Sequence, residues 1–231
     1  MNKVHTLSCF TANALRVLGL LAAGCAPMFI AGCNIVGPAV VLIHGPEKAD
    51  AEFELDPKRA TIVFIDDRAN RMDRRSLRQT IATVCTERLL KEDKVETMLD
   101  PKAALVRVSG EPTGEPTDLV TLGKSLGAEV IVYATVDGFT LSPDGVTFQP
   151  SAQFRIKVID CVKTPSRIWP EEPNGFPLTV TTPQKQGEAP KNGTQYNQAQ
   201  DRLAQACGED LAKVFYKHQI KDRVSDTNDR K

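Results

Sequence analysis

Leu122-Gly-Lys-Ser-Leu-Gly-Ala-Glu-Val-Ile-Val-Tyr-Ala-Thr-Val136 changes its hydrophobic rhythm halfway along. Before Gly127, the apolar residues Leu119, Val120, Leu122 and Leu126 recur at helical spacing, and Thr117 is placed to cap the helix they mark. Gly127 supplies the left-handed stop. Residues 129–140 then fill with Val, Ile and Tyr, the strongest strand signal in the chain. A short amphipathic helix feeding a continuous apolar strand is the unit of an α/β domain.

The same grammar extends in both directions. Upstream, Thr61-Ile62-Val63-Phe64-Ile65 is an unbroken apolar run ending at Asp66 and Asp67, as expected of a central strand covered on both faces. Asp73 then caps a predicted helix over residues 74–91, with Leu77, Ile81, Val84, Cys85 and Leu89 on one face. Residues 95–99 read as a short strand, and Asp100-Pro101 opens a brief helix or turn. Residues 110–116 form a Pro/Gly loop. Downstream, Pro143-Asp144-Gly145 is a turn, residues 148–161 alternate around Phe154, Ile156 and Val158, and residues 167–169 and 178–181 continue the ladder. After a polar loop at 182–194, a long helix is predicted over residues 195–218, carrying Ala199, Leu203, Cys207, Leu211 and Val214. The expected fold is α/β: a mixed central sheet with helices packed on it, ending in a long C-terminal helix.

The first residues follow different rules. Lys3, His5 and Arg16 form a basic head, and no acidic residue occurs before Glu47. The apolar run after Arg16 is interrupted by Gly24 and Pro27. It makes a poor permanent span, which needs about 20 continuous apolar residues, and suits a signal peptide. Ile30-Ala31-Gly32-Cys33 resembles the bacterial lipobox, in which small residues admit the peptidase and the cysteine thiol takes a diacylglyceryl group. Ala22-Ala23-Gly24-Cys25 is the alternative and lacks the branched residue three positions before the cysteine. The expected organisation is a signal peptide over residues 1–32, a tether over 33–59, a periplasmic domain over 60–218 and a disordered tail over 219–231. Cys33 is the expected lipid (palmitate) attachment site. Asn34, where enterobacterial sorting places Asp for inner-membrane retention, points to the outer membrane.

Composition narrows the function classes. The chain carries 29 basic and 29 acidic side chains, and removing Lys3 and Arg16 with the leader leaves a slightly acidic protein. No basic excess favours nucleic acid. Cys85, Cys161 and Cys207 remain in an oxidising compartment, with no Cys-x-x-Cys and only His44 and His218, so neither zinc nor another cofactor is expected. A Cys85–Cys207 disulfide ranks first, because both residues sit on the inward faces of their predicted helices; three buried thiols are the alternative.

Several segments resemble one group of envelope proteins. Ile62-Val63-Phe64-Ile65-Asp66 is similar to that group's apolar strand ending in an acidic turn, and Leu122 to Val136 to its helix, Leu-Gly-Ala-Asp and strand. Arg155 to Trp169 resembles its hairpin, with Val158, Asp160 and Trp169 at matching places. The group includes the curli-secretion channel lipoprotein, the lipoprotein activator of penicillin-binding proteins and the N-terminal domain of the Tol-system propeller protein. The resemblance spans residues 60–215 and rests on packing positions. It implies a periplasmic α/β domain used for protein–protein contact, and carries over no catalytic residue. Ala134 stands where Gly is usual. A curli-type pore needs two long hairpins with about 10 residues per strand, whereas 110–116 is broken by proline and 141–145 is short, so a channel is not implied.

The sharpest chemical alternative lies at Asp66 and Asp67. A carboxylate pair at a strand end can hold magnesium in receiver domains, with Asp137 as a third ligand, but no matching lysine follows. Turn chemistry is the competing reading, and no metal is expected. Arg68, Arg71, Arg74, Arg75 and Arg78 form a basic cluster entering the first helix, a contact surface for anionic headgroups or an acidic partner, or else a solvated face. Trp169 is either an interface anchor or a packing residue. Ser76 and Ser125 lack an evident histidine partner. The expected function is a lipid-anchored, non-catalytic interaction module bound to the membrane through its lipid and to another envelope protein. The rival is a ligand-binding or hydrolytic lipoprotein using the Asp66–Asp67 edge.

Overall fold

Alternate residues of a strand face opposite ways, so an unbroken apolar run needs cover on both sides, and this domain supplies it. The computed structural model describes residues 48–109, 118–182 and 189–220. In chain order they form β1 (Lys48–Ala49), β2 (Thr61–Asp66), α1 (Ser76–Lys91), α2 (Pro101–Ser109), α3 (Leu119–Leu126), β3 (Val130–Thr140), β4 (Ser151–Asp160), β5 (Arg167–Trp169), β6 (Phe176–Thr181), α4 (Gly193–Lys213) and β7 (His218–Gln219). The fold is α/β with a mixed five-stranded sheet and a long C-terminal helix packed on it, as the sequence implies.

β2 pairs parallel with β3, placing Val63 opposite Val132. β3 pairs antiparallel with β4, with Val132 opposite Val158 and a bulge between Val136 and Gly138. The other edge of β4 is shared in tandem: β5 meets Val158 and Ile159, and β6 meets residues 151–156. On one face Val63, Ile65, Val132, Ala134, Phe154 and Ile156 pack with Leu77, Ile81, Leu89, Leu203 and Leu211 of α1 and α4. On the other face Ile62, Phe64, Ile131 and Tyr133 pack with Ala104 and Leu122 of α2 and α3. Each such aliphatic side chain contributes about 1.5–3 kcal/mol on burial.

Two glycines set the helix distances. A Cβ on Gly208 of α4 would lie 2.7 Å from the Ile81 carbonyl oxygen and 2.7 Å from Val84 Cβ of α1. A Cβ on Gly123 of α3 would lie 2.2 Å from Cys161 Sγ. Contacts advance together along α1 and α4, Arg74 with Asp201, Ile81 with Gly208 and Arg88 with Glu209. The two helices therefore run parallel, with both N-termini at the end of the sheet where β2 finishes.

Several boundaries differ from the sequence reading. Residues 95–99 make one bridge, Thr61 with Met98, because the chain turns directly into α2. α1 starts at Ser76 with no side-chain cap, since Asp73 is engaged by α4 instead. Thr117 lies outside the described residues; Asp118 caps α3 by accepting from the Thr121 N–H at 3.1 Å. Asn192 caps α4 by accepting from the Gln195 N–H at 2.9 Å, so Asn192-Gly193-Thr194 is a helix start. That helix ends at Lys213 rather than 218, and His218–Gln219 turns back to pair with Lys48–Ala49. The stretch read as the end of a tether is packed from Lys48 onward: Glu52 and Phe53 N–H groups donate to the Val214 carbonyl, and Leu55 is buried. The expected signal peptide over residues 1–32, Cys33 itself, and residues 221–231 of the expected tail lie outside the described residues.

Candidate functional site

Asp66 ends β2 on the same face as Ile62 and Phe64, which brings its carboxylate beneath Tyr133 of β3. The Tyr133 hydroxyl donates to Asp66 Oδ2 at 2.7 Å, and Arg68 Nε lies 2.8 Å from the same oxygen. Burial, reinforced by the Asp66 carboxylate, pushes the Tyr133 phenol well above its ordinary range. Asp67 uses both oxygens on the next loop: Oδ1 accepts from the Arg71 N–H at 2.7 Å and Oδ2 from the Met72 N–H at 3.0 Å. Carboxylates that accept backbone N–H groups in this way close turns. The loop they close carries Asn70 at φ 50° and buries Met72.

Asp137, the third carboxylate of the alternative reading, sits at the β3 bulge and binds Arg155 Nε at 2.9 Å. It does not join the pair. Among the described residues, no group of three or more His, Cys, Asp or Glu is placed to hold a metal ion. An open cleft of about 380 Å³ lies between α2 and α3, lined by Asp100, Lys102, Ala103, Val106, Arg107 and Leu126. It shares no residue with the Asp66–Asp67 edge.

The arginine cluster divides by role. Arg74 is an internal strap: its guanidinium donates to Gln200 Oε1 at 3.0 Å, the Asn197 carbonyl at 2.9 Å and Asp201 Oδ1 at 2.7 Å. Beside it, Asp73 Oδ2 accepts from the Gln200 amide at 2.8 Å and the Tyr196 hydroxyl at 3.1 Å. Arg71 and Arg75 are exposed and Arg78 is half-buried, and none of the three has an ion pair among the described residues.

Trp169 packs into an aromatic cluster, with ring centroids 5.6 Å from Phe53, 5.0 Å from Phe176 and 6.3 Å from Phe215. It joins the N-terminal stretch, β6 and the turn after α4. The Cys85–Cys207 bridge is not formed; Cys85, Cys161 and Cys207 are buried thiols. Cys85 and Cys207 fill the seam between α1 and α4 as small apolar groups. Burial pushes the Cys85 thiol far above its usual range and Cys161 up to about 11, which keeps both unreactive. Ser125 Oγ donates to the Leu122 carbonyl at 2.8 Å, the Ser76 carbonyl accepts from Thr80, and His218 Nδ1 lies 3.1 Å from the Tyr216 carbonyl. His44 lies outside the described residues.

One charged site escaped the sequence reading. Arg59, before β2, grips Asp160 at the end of β4 with both terminal nitrogens, at 2.7 and 2.8 Å, and also donates to the Glu129 carbonyl at 3.0 Å. Asp160 also accepts from the Val162 and Lys163 N–H groups, each at 2.8 Å. The Arg59 hydrogen bonds hold the Asp160 carboxyl well below the usual carboxylate range, against the opposing effect of burial. The resemblance pointed to Asp160, but its partner is 101 positions away.

No protein-family model matches the chain, and no curated protein matches it. Among solved structures it is similar to a PelC dodecamer from Paraburkholderia phytofirmans, with a TM-score of 0.41 and 10% identity over 74% of this chain and 97% of that one. Lipoprotein GNA1162 from Neisseria meningitidis gives 0.36 and 13% over 63% and 96%. The LpoB C-terminal domain from Salmonella enterica gives 0.30 and 12% over 64% and 94%. At these scores the likeness bears on neither mechanism nor partner.

Proposed function

We propose that this protein is a lipid-anchored envelope protein, held at the outer membrane through Cys33 and facing the periplasm, whose α/β domain is a non-catalytic module for contact with another envelope protein. The observation that carries the reading is the use of Asp66 and Asp67. One carboxylate holds Tyr133 and Arg68, and the other pins the loop that presents Arg71, so the acidic edge serves as scaffold for a basic surface. A hydrolase needs a nucleophile within reach of a base. Here the Ser125 hydroxyl donates to the Leu122 carbonyl, the Cys85, Cys161 and Cys207 thiols are buried, and His218 Nδ1 lies against the Tyr216 carbonyl.

The anchor is the part most open to direct test. A single acyl chain holds a protein weakly, at about 0.8 kcal/mol per buried methylene, whereas two or more hold it durably. Cys33→Ala is expected to abolish incorporation of a clickable fatty acid and to leave either an unprocessed precursor or protein lost from the membrane fraction. Label retained in Cys33→Ala but lost in Cys25→Ala would move the anchor to Cys25. Label unchanged in both would end the lipoprotein reading. Crosslinking the wild type in intact envelopes tests the module itself, and absence of any specific protein adduct would contradict it.

A further inference from the structure

We propose that the end of the domain presenting Arg71, Arg75 and Arg78 is a docking face for an acidic segment of another envelope protein, an inference that rests on the interaction-module reading. The carboxylates Asp66, Asp67, Asp73, Asp137 and Asp201 lie at this end, and each has a partner within the domain. Asp66 binds Tyr133 and Arg68, Asp67 binds two backbone N–H groups, Asp73 binds Gln200 and Tyr196, Asp137 binds Arg155, and Asp201 binds Arg74. The cations at Arg71, Arg75 and Arg78 have no such counterpart among the described residues. The parallel α1 and α4 both begin at this end, and neither has an acidic residue in its first turn, so their dipoles add to the positive field.

The face is also stiff. The Asp67 clamp holds the loop before Arg71, and the Asp73–Gln200–Arg74 network locks α1 to α4. Arginines on a preorganised backbone lose less freedom on binding, and their planar forks match carboxylates two bonds at a time. Tyr196, 41% exposed beside Asp73, adds an aromatic of the kind that anchors protein interfaces.

Charge complementarity selects the occupant: three arginine forks, clustered where the loop after β2 enters α1, match the closely spaced carboxylates of an Asp/Glu-rich segment.

The test uses the full lipidated chain in phosphatidylcholine vesicles, titrated with a fluorescent Asp/Glu-rich peptide. The wild type is expected to bind with an affinity that falls steeply as salt rises. Joint Arg71→Glu, Arg75→Glu and Arg78→Glu should weaken binding by at least about tenfold, whereas joint Lys102→Glu, Arg107→Glu and Lys163→Glu, the same charge change elsewhere, should not. Equal loss in the two variants, or no binding by the wild type, would overturn the proposal. So would loss of wild-type peptide binding when phosphatidylglycerol is included, because the membrane would then own the arginines. Envelope crosslinking keeps the two readings apart: adducts that persist in the arginine-reversed variant leave the module standing and remove this face.

Discussion

Asp66 and Asp160 each close a strand, and because β2 and β4 run in opposite directions they stand at opposite ends of one sheet. Both are buried and both meet an arginine, yet the sites are built for different ends. Around Asp160 the carboxylate, two turn N–H groups and the Arg59 guanidinium satisfy one another, and little charge is left over. Around Asp66 and Asp67 the acids are equally committed, but the loop they hold projects further arginines outward. One end is closed by its charges, and the other is opened by them.

The largest effect should come from the closed end. Asp160→Ala leaves Arg59, itself mostly buried, without its carboxylate, and should destabilise the domain by about 3 kcal/mol, read as a lowered urea midpoint. The same site sets an acid limit. Its folded pKa is depressed below the unfolded value of about 3.9, so its stabilisation is complete well above that value and is lost as pH falls through it toward the folded pKa. Unfolding titrations below about pH 4 should therefore show a slope in the wild type that Asp160→Asn lacks. A matching slope in both proteins would assign acid sensitivity elsewhere.

A smaller effect is expected at the open end. Tyr133→Phe removes one donor from Asp66 but leaves Arg68 in place, and should cost about 1 kcal/mol. A loss approaching that of Asp160→Ala would mean that the open end also carries the stability of the fold. Smallest of all, joint Arg71→Ala, Arg75→Ala and Arg78→Ala should change stability by no more than about 0.5 kcal/mol each. A clear drop in melting temperature would make those arginines structural and weaken their assignment as a docking face.

The sheet was legible because its cause is local. The apolar run at Thr61–Ile65 and the switch of rhythm at Gly127 write the β2 and β3 cores directly into the sequence, and the αL geometry of Gly127 at φ 76° follows from them. What the sequence hides depends on distant partners. Asp73 has the form of a helix cap, but Tyr196 and Gln200, over a hundred positions away, compete for its carboxylate and take it. The apolar face of α4 continues through Val214 and Phe215, so nothing in its periodicity marks the turn that sends His218 back to Ala49. Trp169 could be read two ways until Phe53, Phe176 and Phe215 gathered around it. The Arg59–Asp160 grip has no local signature. At the candidate site the basic cluster was visible as a cluster, but its division into Arg74 as strap and Arg71, Arg75 and Arg78 as an outward set required the packing of α1 against α4.

The scaffold role of Asp66 and Asp67 is most directly tested by calorimetric titration of the protein with magnesium, calcium and manganese. Carboxylates already committed to Tyr133, Arg68 and the Arg71 and Met72 N–H groups should give no saturable heat with any of the three. A micromolar site that disappears in Asp66→Ala would contradict this account and restore the acidic edge as a ligand site.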